Sequence, residues 1–441
     1  MTPTEVCDRV LELTARRSAG RGVAVEVTAS SGRSAVTRFA NSHIHQNVAD
    51  DHGDVRLRVV ADGRLATAST SRLDDEGLGR LVDGALEAAR LRPPDPGWPG
   101  LAPPAAAPAT DRHDPATQWA PPERRAEVVA DFVAAGEGLA AAGFCESGGH
   151  EVAFANSGGQ RLVGRASRAT VEGVHRTEAS DGAGWRSAAR LSDVDGAAAG
   201  ATAAAKARAG TDPVEVEPGR YEVVVEPAAV ADVLGFLLGG FSAKAFAEGR
   251  SFVRLGEAQL DPAIGIVDDA THPATLGLAF DAEGTPKRRV ELVAGGVPVG
   301  LLHDRRTALR AGVESTGHAV AGGETWGPIA LNPALAAGGR SPDDLVASVP
   351  RGLLVTELWY TRILDPKTQA VTGLTRNGTF LVEGGRVTAP VRNLRFTQSY
   401  AEALGPGGVL GVGSDLRLLP SGYLVPSLHL ASWNFTGGAR G

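Results

Sequence analysis

The sequence predicts an α+β protein with two small helix-strand-helix N-terminal units followed by a large, mainly β C-terminal domain. Apolar residues at helical spacing alternate with strand-like stretches twice before residue 213. A proline-rich stretch separates these two repeats, and short strand-like segments dominate from Tyr221 onward. The predicted divisions are therefore an N-terminal α+β domain at 1–92, a Pro-rich linker at 93–122, a central α+β domain at 123–212 and the C-terminal domain at 213–441.

The first unit is predicted to begin with a helix over residues 4–20, where Val6, Val10 and Leu13 recur at helical spacing. Strands are predicted at 23–28, 36–48, 55–60 and 65–69, and Ser30-Ser-Gly-Arg is interpreted as a turn. A second helix is predicted from Asp74 to about Arg90, because acidic residues in its first turn favour a helix start.

The linker contains ten prolines between Pro93 and Pro122, a composition typical of an extended spacer. A helix is predicted at about 122–142, strands at 144–145, 151–156, 160–169 and 171–177, and an Ala-rich helix at 194–209. After the strand at Tyr221–Glu226, an apolar helix is predicted over Ala228–Ser242. Eight further strand-like segments, separated by Asp- and Gly-containing turns, complete the mainly β domain.

Composition limits the classes of function. The 441 residues are 43% hydrophobic and 22% charged, as in a folded globular protein. The net charge of −7 argues against nucleic acid as a partner. No apolar run reaches the length of a membrane span, and Cys7 and Cys145 are too few for a disulfide framework. We therefore predict a cytoplasmic protein with neither a nucleic-acid nor a membrane partner.

Several histidines are candidates for metal ligands. His43, His45 and His52 lie close together, either as a polar sheet face or as metal ligands. His150-Glu151 begins a zinc-peptidase pattern, but Phe154 stands where the second histidine is needed.

Three further candidates remain: an acidic pair with a histidine, a single glutamate and a cysteine. Asp268, Asp269 and His272 form either an acid–base or cation-binding cluster or a solvated turn. Glu357 lies in an apolar strand and needs a partner, for which Arg362 or Arg376 are the candidates. Cys145, followed by a Gly-Gly-His sequence, is a possible nucleophile with no sign of activation.

Blocks of sequence resemble the TldD/PmbA family, and its PmbA (TldE) branch more than its TldD branch. They are Arg38-Phe-Ala-Asn-Ser-His-Ile-His-Gln-Asn, Asp268-Asp-Ala-Thr-His-Pro, Phe280-Asp-Ala-Glu-Gly-Thr-Pro, Gly300-Leu-Leu-His-Asp-Arg, Ser315-Thr-Gly-His, Gly352-Leu-Leu-Val-Thr-Glu and Thr372-Gly-Leu-Thr-Arg-Asn-Gly. The resemblance covers nearly the whole chain in order, and it implies the TldD/PmbA fold.

The resemblance also implies a TldD–TldE heterodimer that hydrolyses peptides. In the TldD subunit, two histidines of one helix and a downstream cysteine hold zinc, and a glutamate activates water. Here the helix at Ala228–Ser242 has no His or Glu, and the region 409–432 has no Cys, while Ser421 and Ser427 are poor zinc ligands. We therefore predict no metal and no catalytic residue on this chain, and zinc on a TldD-like partner.

In this interpretation the chain lines a cleft that it shares with the TldD-like catalytic subunit and a peptide substrate. The candidates for cleft or interface residues are Asn41, His45, Asn47, Glu357, Arg376 and Asn377. Two alternatives stay open: a stand-alone hydrolase that uses Asp268, Asp269 and His272 or Cys145, and a peptide-binding regulatory protein.

Overall fold

The computed structural model describes residues 1–18, 22–110 and 112–438, which form three β-sheets with helices packed against them. The predicted fold class is confirmed: helix–strand units at the N-terminus precede a mainly β C-terminal part. None of the helices in these residues is long and apolar enough to cross a membrane.

The N-terminal part is a single six-stranded sheet with five helices. The helices are α1 (Pro3–Arg17), α2 (Asp75–Arg90), α3 (Pro115–Gln118), α4 (Pro122–Ala134) and α5 (Gly196–Ala209), and the strands are β1 (Val23–Ala40), β2 (His43–Ala61), β3 (Arg64–Thr70), β4 (Ala140–Asn156), β5 (Arg161–Arg176) and β6 (Asp181–Ala188). The strand order β3-β2-β1-β4-β5-β6 joins strands from both predicted units in one sheet. The domain boundaries themselves remain a prediction.

One face of this sheet is covered by helices. α1 begins at a capping box, in which the side chains of Thr2 and Glu5 each bind the other residue's backbone N–H. The apolar faces of α1 and α2 pack on Val27 and Leu57, whereas α4 and α5 pack on a second cluster around Phe39. The opposite face of the sheet turns toward the C-terminal part, where Phe154 packs on Phe280.

Two of the predicted strand limits in the first unit are wrong. β1 continues through Ser30–Arg33 without a turn, because β2 and β4 pair with it on both sides there. The turn instead falls at Asn41 and Ser42, whose φ angles of 49° and 65° match a two-residue hairpin turn inside the predicted 36–48 strand. Serine and glycine favour a turn in the local sequence, but pairing with β2 and β4 holds these residues in an extended strand.

The predicted helix at 122–142 is also too long. α4 ends at Ala134, and Glu137 and Gly138 adopt left-handed φ angles of 47° and 92° that no helix continues through. Residues 140–142 pair with β5 instead, in a strand that runs unbroken to Asn156 through Gly148 and Gly149.

Residues 93–110 of the proline-rich segment form no helix or strand and are bound on both sides, whereas the segment contains the short helix α3 farther along. Asp95 forms an ion pair with Arg306 of the C-terminal part, and Arg305 donates to the Leu101 carbonyl at 2.9 Å. On the other side, the Gln160 side chain bonds both the N–H and the carbonyl of Ala105 at 3.0 and 3.1 Å. The segment therefore ties the N-terminal sheet to the C-terminal part.

The C-terminal part contains two sheets and six short helices. The helices are α6 (Pro227–Leu238), α7 (Ala243–Ala247), α8 (Arg305–Ala311), α9 (Gly323–Trp326), α10 (Pro342–Ala347) and α11 (Tyr400–Ala403). The strands are β7 (Gly219–Val225), β8 (Ile266–Asp268), β9 (Val290–Ala294), β10 (Val297–Pro298), β11 (Pro333–Leu335), β12 (Arg351–Asp365), β13 (Ala370–Glu383), β14 (Arg386–Pro390), β15 (Leu394–Ser399), β16 (Val409–Val412), β17 (Arg417–Leu418), β18 (Leu424–Val425) and β19 (Leu428–Gly438).

One sheet has the order β10-β9-β8-β11-β18-β17, and in the other β12, β7, β19, β15 and β13 form a closed ring of pairings. Helix α6 lies in the core with both sheets, where Leu234 and Leu237 are almost fully buried. The N-terminal sheet faces the loops around β8, β9 and β11.

Candidate functional site

A cavity of about 1090 Å³ lies between the open face of the N-terminal sheet and loops of the C-terminal part. Its lining is largely apolar and comes from both halves of the chain, including Val36, Val48, Phe144, Leu278, Phe280 and Leu331. A concave, mainly apolar cavity with a few polar groups is typical of a ligand site.

Two histidines, His52 and His150, line this cavity on the side of the N-terminal sheet. Gly32 of β1 pairs with His52 on one side and with His150 on the other. A Cβ atom on Gly32 would come within 2.7 Å of His52 Nε2, so the glycine makes the space that these rings occupy. Burial lowers the pKa of His150, and the nearby His52 and His113 act in the same direction.

On the C-terminal side, Asp281 and Lys287 are the ionisable residues of the cavity lining, which also includes Ser421. The Lys287 Nζ donates to Asn332 Oδ1 at 3.0 Å, and the side chain is only 4% exposed. Asp281 accepts hydrogen bonds from the backbone N–H groups of Glu283, Thr285 and Ala319, each at 2.9 Å. Burial raises the pKa of Asp281 to about 7, and the Glu283 carboxylate adds to that shift.

The residues of the predicted Asp268, Asp269 and His272 cluster turn to different partners. Asp268 is fully buried, accepts from the N–H groups of Leu331 and Asn332, and contacts His318 Nε2 at 3.0 Å. Asp269 accepts from Thr271 within its own turn, and the ring of His272 accepts from the Ala274 N–H. The three side chains therefore do not converge on one point.

The β2 candidates lie on or beside the helix-covered face. Asn41 lies in the β1–β2 turn, and His45 is exposed on the strand. The Asn47 oxygen accepts from Thr37 and from the buried guanidinium of Arg125, both at 3.2 Å. Of this strand, Val48, Asp50 and His52 line the cavity, one position out of phase with His45 and Asn47.

The β12–β13 candidates form a polar contact beside an exposed aromatic surface. The partner of Glu357 is Asn377, which donates to its carboxylate, rather than the predicted Arg362 or Arg376. The guanidinium of Arg376 stacks 4.3 Å above Trp359, and Arg362 stacks on Tyr360. Burial raises the pKa of Glu357, while the Asn377 hydrogen bond opposes that shift.

Cys145 lies in the core between the sheet and helices α4 and α5. Burial raises the pKa of its thiol to about 12, although the charge of Arg125 acts in the opposite direction. A nucleophilic cysteine needs a lowered pKa and access to substrate, and this thiol has neither.

The region where the resemblance places a metal does not fit zinc on this chain. Helix α6 meets the downstream segment where the ring of Tyr423 faces Gly235. The carboxylate of α6, Asp232, accepts from Thr361 Oγ1 and Tyr400 Oη at 2.8 Å each. Ser427 Oγ is bound to Asp415, and across the described ranges no three His, Cys, Asp or Glu side chains are grouped as metal ligands are.

Sequence reasoning did not identify Lys287, Asn332 or His318 as parts of a site. His318 is the last residue of the Ser315-Thr-Gly-His block, but the sequence indicates no role for this histidine. Lys287 is one of only four lysines in the chain, and it lies between the Phe280 block and β9, directly before Arg288 and Arg289. That rarity was the available signal.

Comparison with known proteins identifies the family. The model of the PmbA/TldA metallopeptidase C-terminal domain matches residues 218–437, and that of the PmbA/TldA metallopeptidase domain 1 matches residues 25–89. The fold, the cavity between its two parts and these matches define a metallopeptidase-related protein. The chain belongs to the TldD/PmbA family.

Three relatives illustrate the match. The metalloprotease PmbA of Escherichia coli O157:H7 is 25% identical over 97% of this chain and 95% of its own. A metalloprotease of Methanothermobacter thermautotrophicus is 28% identical over 45% of this chain, a match that spans 44% of that protein. The crystal structure of TldE from Thermococcus kodakarensis covers 97% of this chain and all of that one, with a TM-score of 0.89 at 20% identity. At that identity the structural match establishes the fold.

Proposed function

We propose that this chain is a peptide-binding subunit without a hydrolytic metal, which acts with a zinc-bearing TldD-like partner on unfolded peptides or peptide-like conjugates. The proposal is supported chiefly by helix α6, whose inward side chains are apolar and whose one acid is bound to Thr361 and Tyr400. The large cavity between the two halves of the chain also supports it. A cavity in which the described residues form no group of three metal-ligating side chains fits a subunit that holds substrate for a companion.

The interface with that partner is proposed at the end of the β12–β13 hairpin. Four large apolar side chains are exposed within six residues there: Trp359, Tyr360, Ile363 and Leu364, at 48%, 68%, 40% and 59%. Single exposed apolar residues are ordinary, but such a group is typical of a surface that another protein covers. The stacked Arg362 and Arg376 add the aromatic–arginine composition of interface centres.

Metal content and cleavage test the subunit role. The chain is purified alone and after coexpression with a TldD-like chain of the same organism, and zinc is measured by mass spectrometry alongside cleavage of an unstructured peptide. We expect zinc and cleavage with the coexpressed pair and neither with the chain alone. Stoichiometric zinc on the isolated chain, or chelator-resistant cleavage by it, would contradict the proposal.

A double substitution, Tyr360→Ser with Ile363→Ser, tests the interface. Copurification with the TldD-like chain should be lost. The Leu91→Ser control should leave it intact, since Leu91 is more exposed, at 83%, but lies on the other part of the molecule. If both variants copurify like the unaltered chain, the partner binds elsewhere or not at all.

A further inference from the structure

Lys287 is a buried cation on the wall of the cavity. Its side chain is 4% exposed, yet it is among the residues that line the open space. An ammonium group donates three hydrogen bonds. In the described residues, the acceptor for Nζ is Asn332 Oδ1 at 3.0 Å, so two donor hydrogens have no acceptor from these residues.

The group is held firmly in place. Asn332 donates through its side chain to the Leu276 carbonyl and through its backbone N–H to Asp268 Oδ2 at 2.9 Å. Asp268 is fixed in turn by its contact with His318. Because each link is buried, the ammonium group is fixed in one position at the cavity wall.

No carboxylate in the described part of the chain forms an ion pair with Lys287. Asp268 lies beyond Asn332, and Asp281 is fully engaged by three backbone N–H groups. Burial lowers the pKa of Lys287, and the charges of Asp268 and Asp281 only partly offset that effect. A buried charge without a direct partner is unfavourable, and an anion that reaches it gains strong charge-assisted hydrogen bonds.

We propose that Lys287 anchors a carboxylate of a peptide bound in the cavity. The inference rests on the proposed peptide-binding function and specifies its substrate class. Leu276, Leu278 and Leu331 line the same cavity, so the residue that carries the carboxylate has apolar side chains available to it. Arg38, exposed at the cavity edge, adds positive charge for the approach of an anionic ligand.

Calorimetric titration of the isolated, full-length chain tests this anchor. Three forms of one short apolar peptide are compared: with a free C-terminal carboxylate, with a C-terminal amide, and with the amide plus an internal glutamate. We expect the acid form to bind about tenfold more tightly than the amide, since charge-assisted bonds are lost with the carboxylate. Tight binding of the glutamate form would assign a side-chain carboxylate as an equivalent source.

Lys287→Met should remove the difference between acid and amide, while Lys367→Met, an exposed lysine of the β12–β13 hairpin, should preserve it. Equal binding of acid and amide by the unaltered chain overturns the anchor, even if the Lys287 variant fails to fold. Loss of all binding by every peptide would instead overturn the peptide-binding function itself, so the two failures are distinguishable.

Discussion

His318 Nε2 lies 3.0 Å from Asp268 Oδ1, and neither side chain is exposed to solvent. The two residues come from segments about fifty positions apart, and together they fix the loop that carries Asn332. Their burial makes them a structural pair that positions the cavity wall rather than reacting groups.

Asp268→Ala should lower the free energy of unfolding by about 3 kcal/mol or more, because the backbone N–H groups of Leu331 and Asn332 lose their acceptor inside the protein and His318 loses the carboxylate beside its ring. Urea unfolding followed by tryptophan fluorescence measures this loss. The neighbouring Asp269→Ala is the control: its carboxylate accepts hydrogen bonds within its own turn and lies 3.9 Å from the exposed Arg289, so about 1 kcal/mol is expected. Equal losses would contradict the structural role of the pair.

Asp281 should make stability depend on pH between about 4 and 7. Its pKa is raised from 3.8 to about 7 in the folded protein, so the folded state binds a proton that the unfolded state releases across that range. Its contribution to the free energy of unfolding therefore falls as pH rises, by up to about 1.4 kcal/mol per pH unit. The test is urea unfolding at several pH values, with Asp281→Asn as the comparison. A pH dependence as steep in the variant would exclude Asp281 as its source.

Arg58 joins the N-terminal sheet to the C-terminal part through three carboxylates. Its guanidinium lies 2.9 Å from Glu26, 3.6 Å from Glu283 and 2.9 Å from Glu324. Arg58→Met leaves two buried acids without their cation, so a loss of about 3 kcal/mol or more is expected at pH 7.

That loss should shrink at pH 5. Burial raises the pKa of Glu26 and of Glu283, so both acids take up protons more readily and no longer need the cation as pH falls. Arg72→Met, which removes exposed ion pairs, should change stability by less than about 1 kcal/mol at either pH. A loss from Arg58→Met that grows on acidification would contradict this account.

Both cysteines should be unreactive in the folded protein. Burial raises the pKa of Cys7 and of Cys145 to about 12, so almost no thiolate exists near neutral pH. A colorimetric thiol reagent at pH 8 should detect neither thiol in native buffer and both in denaturant. Cys145→Ala should leave any cleavage by the coexpressed pair unchanged, and its abolition would restore the cysteine as a nucleophile.

The sequence predicted the fold well where local signals suffice. Helices α1, α2 and α5 carry their own caps and apolar spacing, and each lies within a few residues of its predicted range. The predicted limits of β1 and β4 were wrong, because glycines such as Gly32 and Gly149 serve close packing between strands here and not turns. Only the pairing of distant strands distinguishes these two uses.

The site was less predictable, because its contacts link distant segments. The strand of His45 and Asn47 was recognised, but which of its faces meets the cavity depends on where α4 packs. Glu357 needed a partner, and Asn377 rather than an arginine supplies it, since Arg376 stacks on Trp359. The sequence predicts a cluster of Asp268 with Asp269 and His272, whereas in the fold the Asp268 carboxylate lies beside the His318 ring.

The proline-rich crossing has a mechanical consequence. Because the cavity has one wall from each half of the polypeptide, any rotation of the halves would change its volume. Such a rotation would have to break the ion pair of Asp95 and Arg306 or the two hydrogen bonds between the Gln160 side chain and the Ala105 backbone. The contacts of the proline-rich segment therefore oppose hinge-like widening of the cavity.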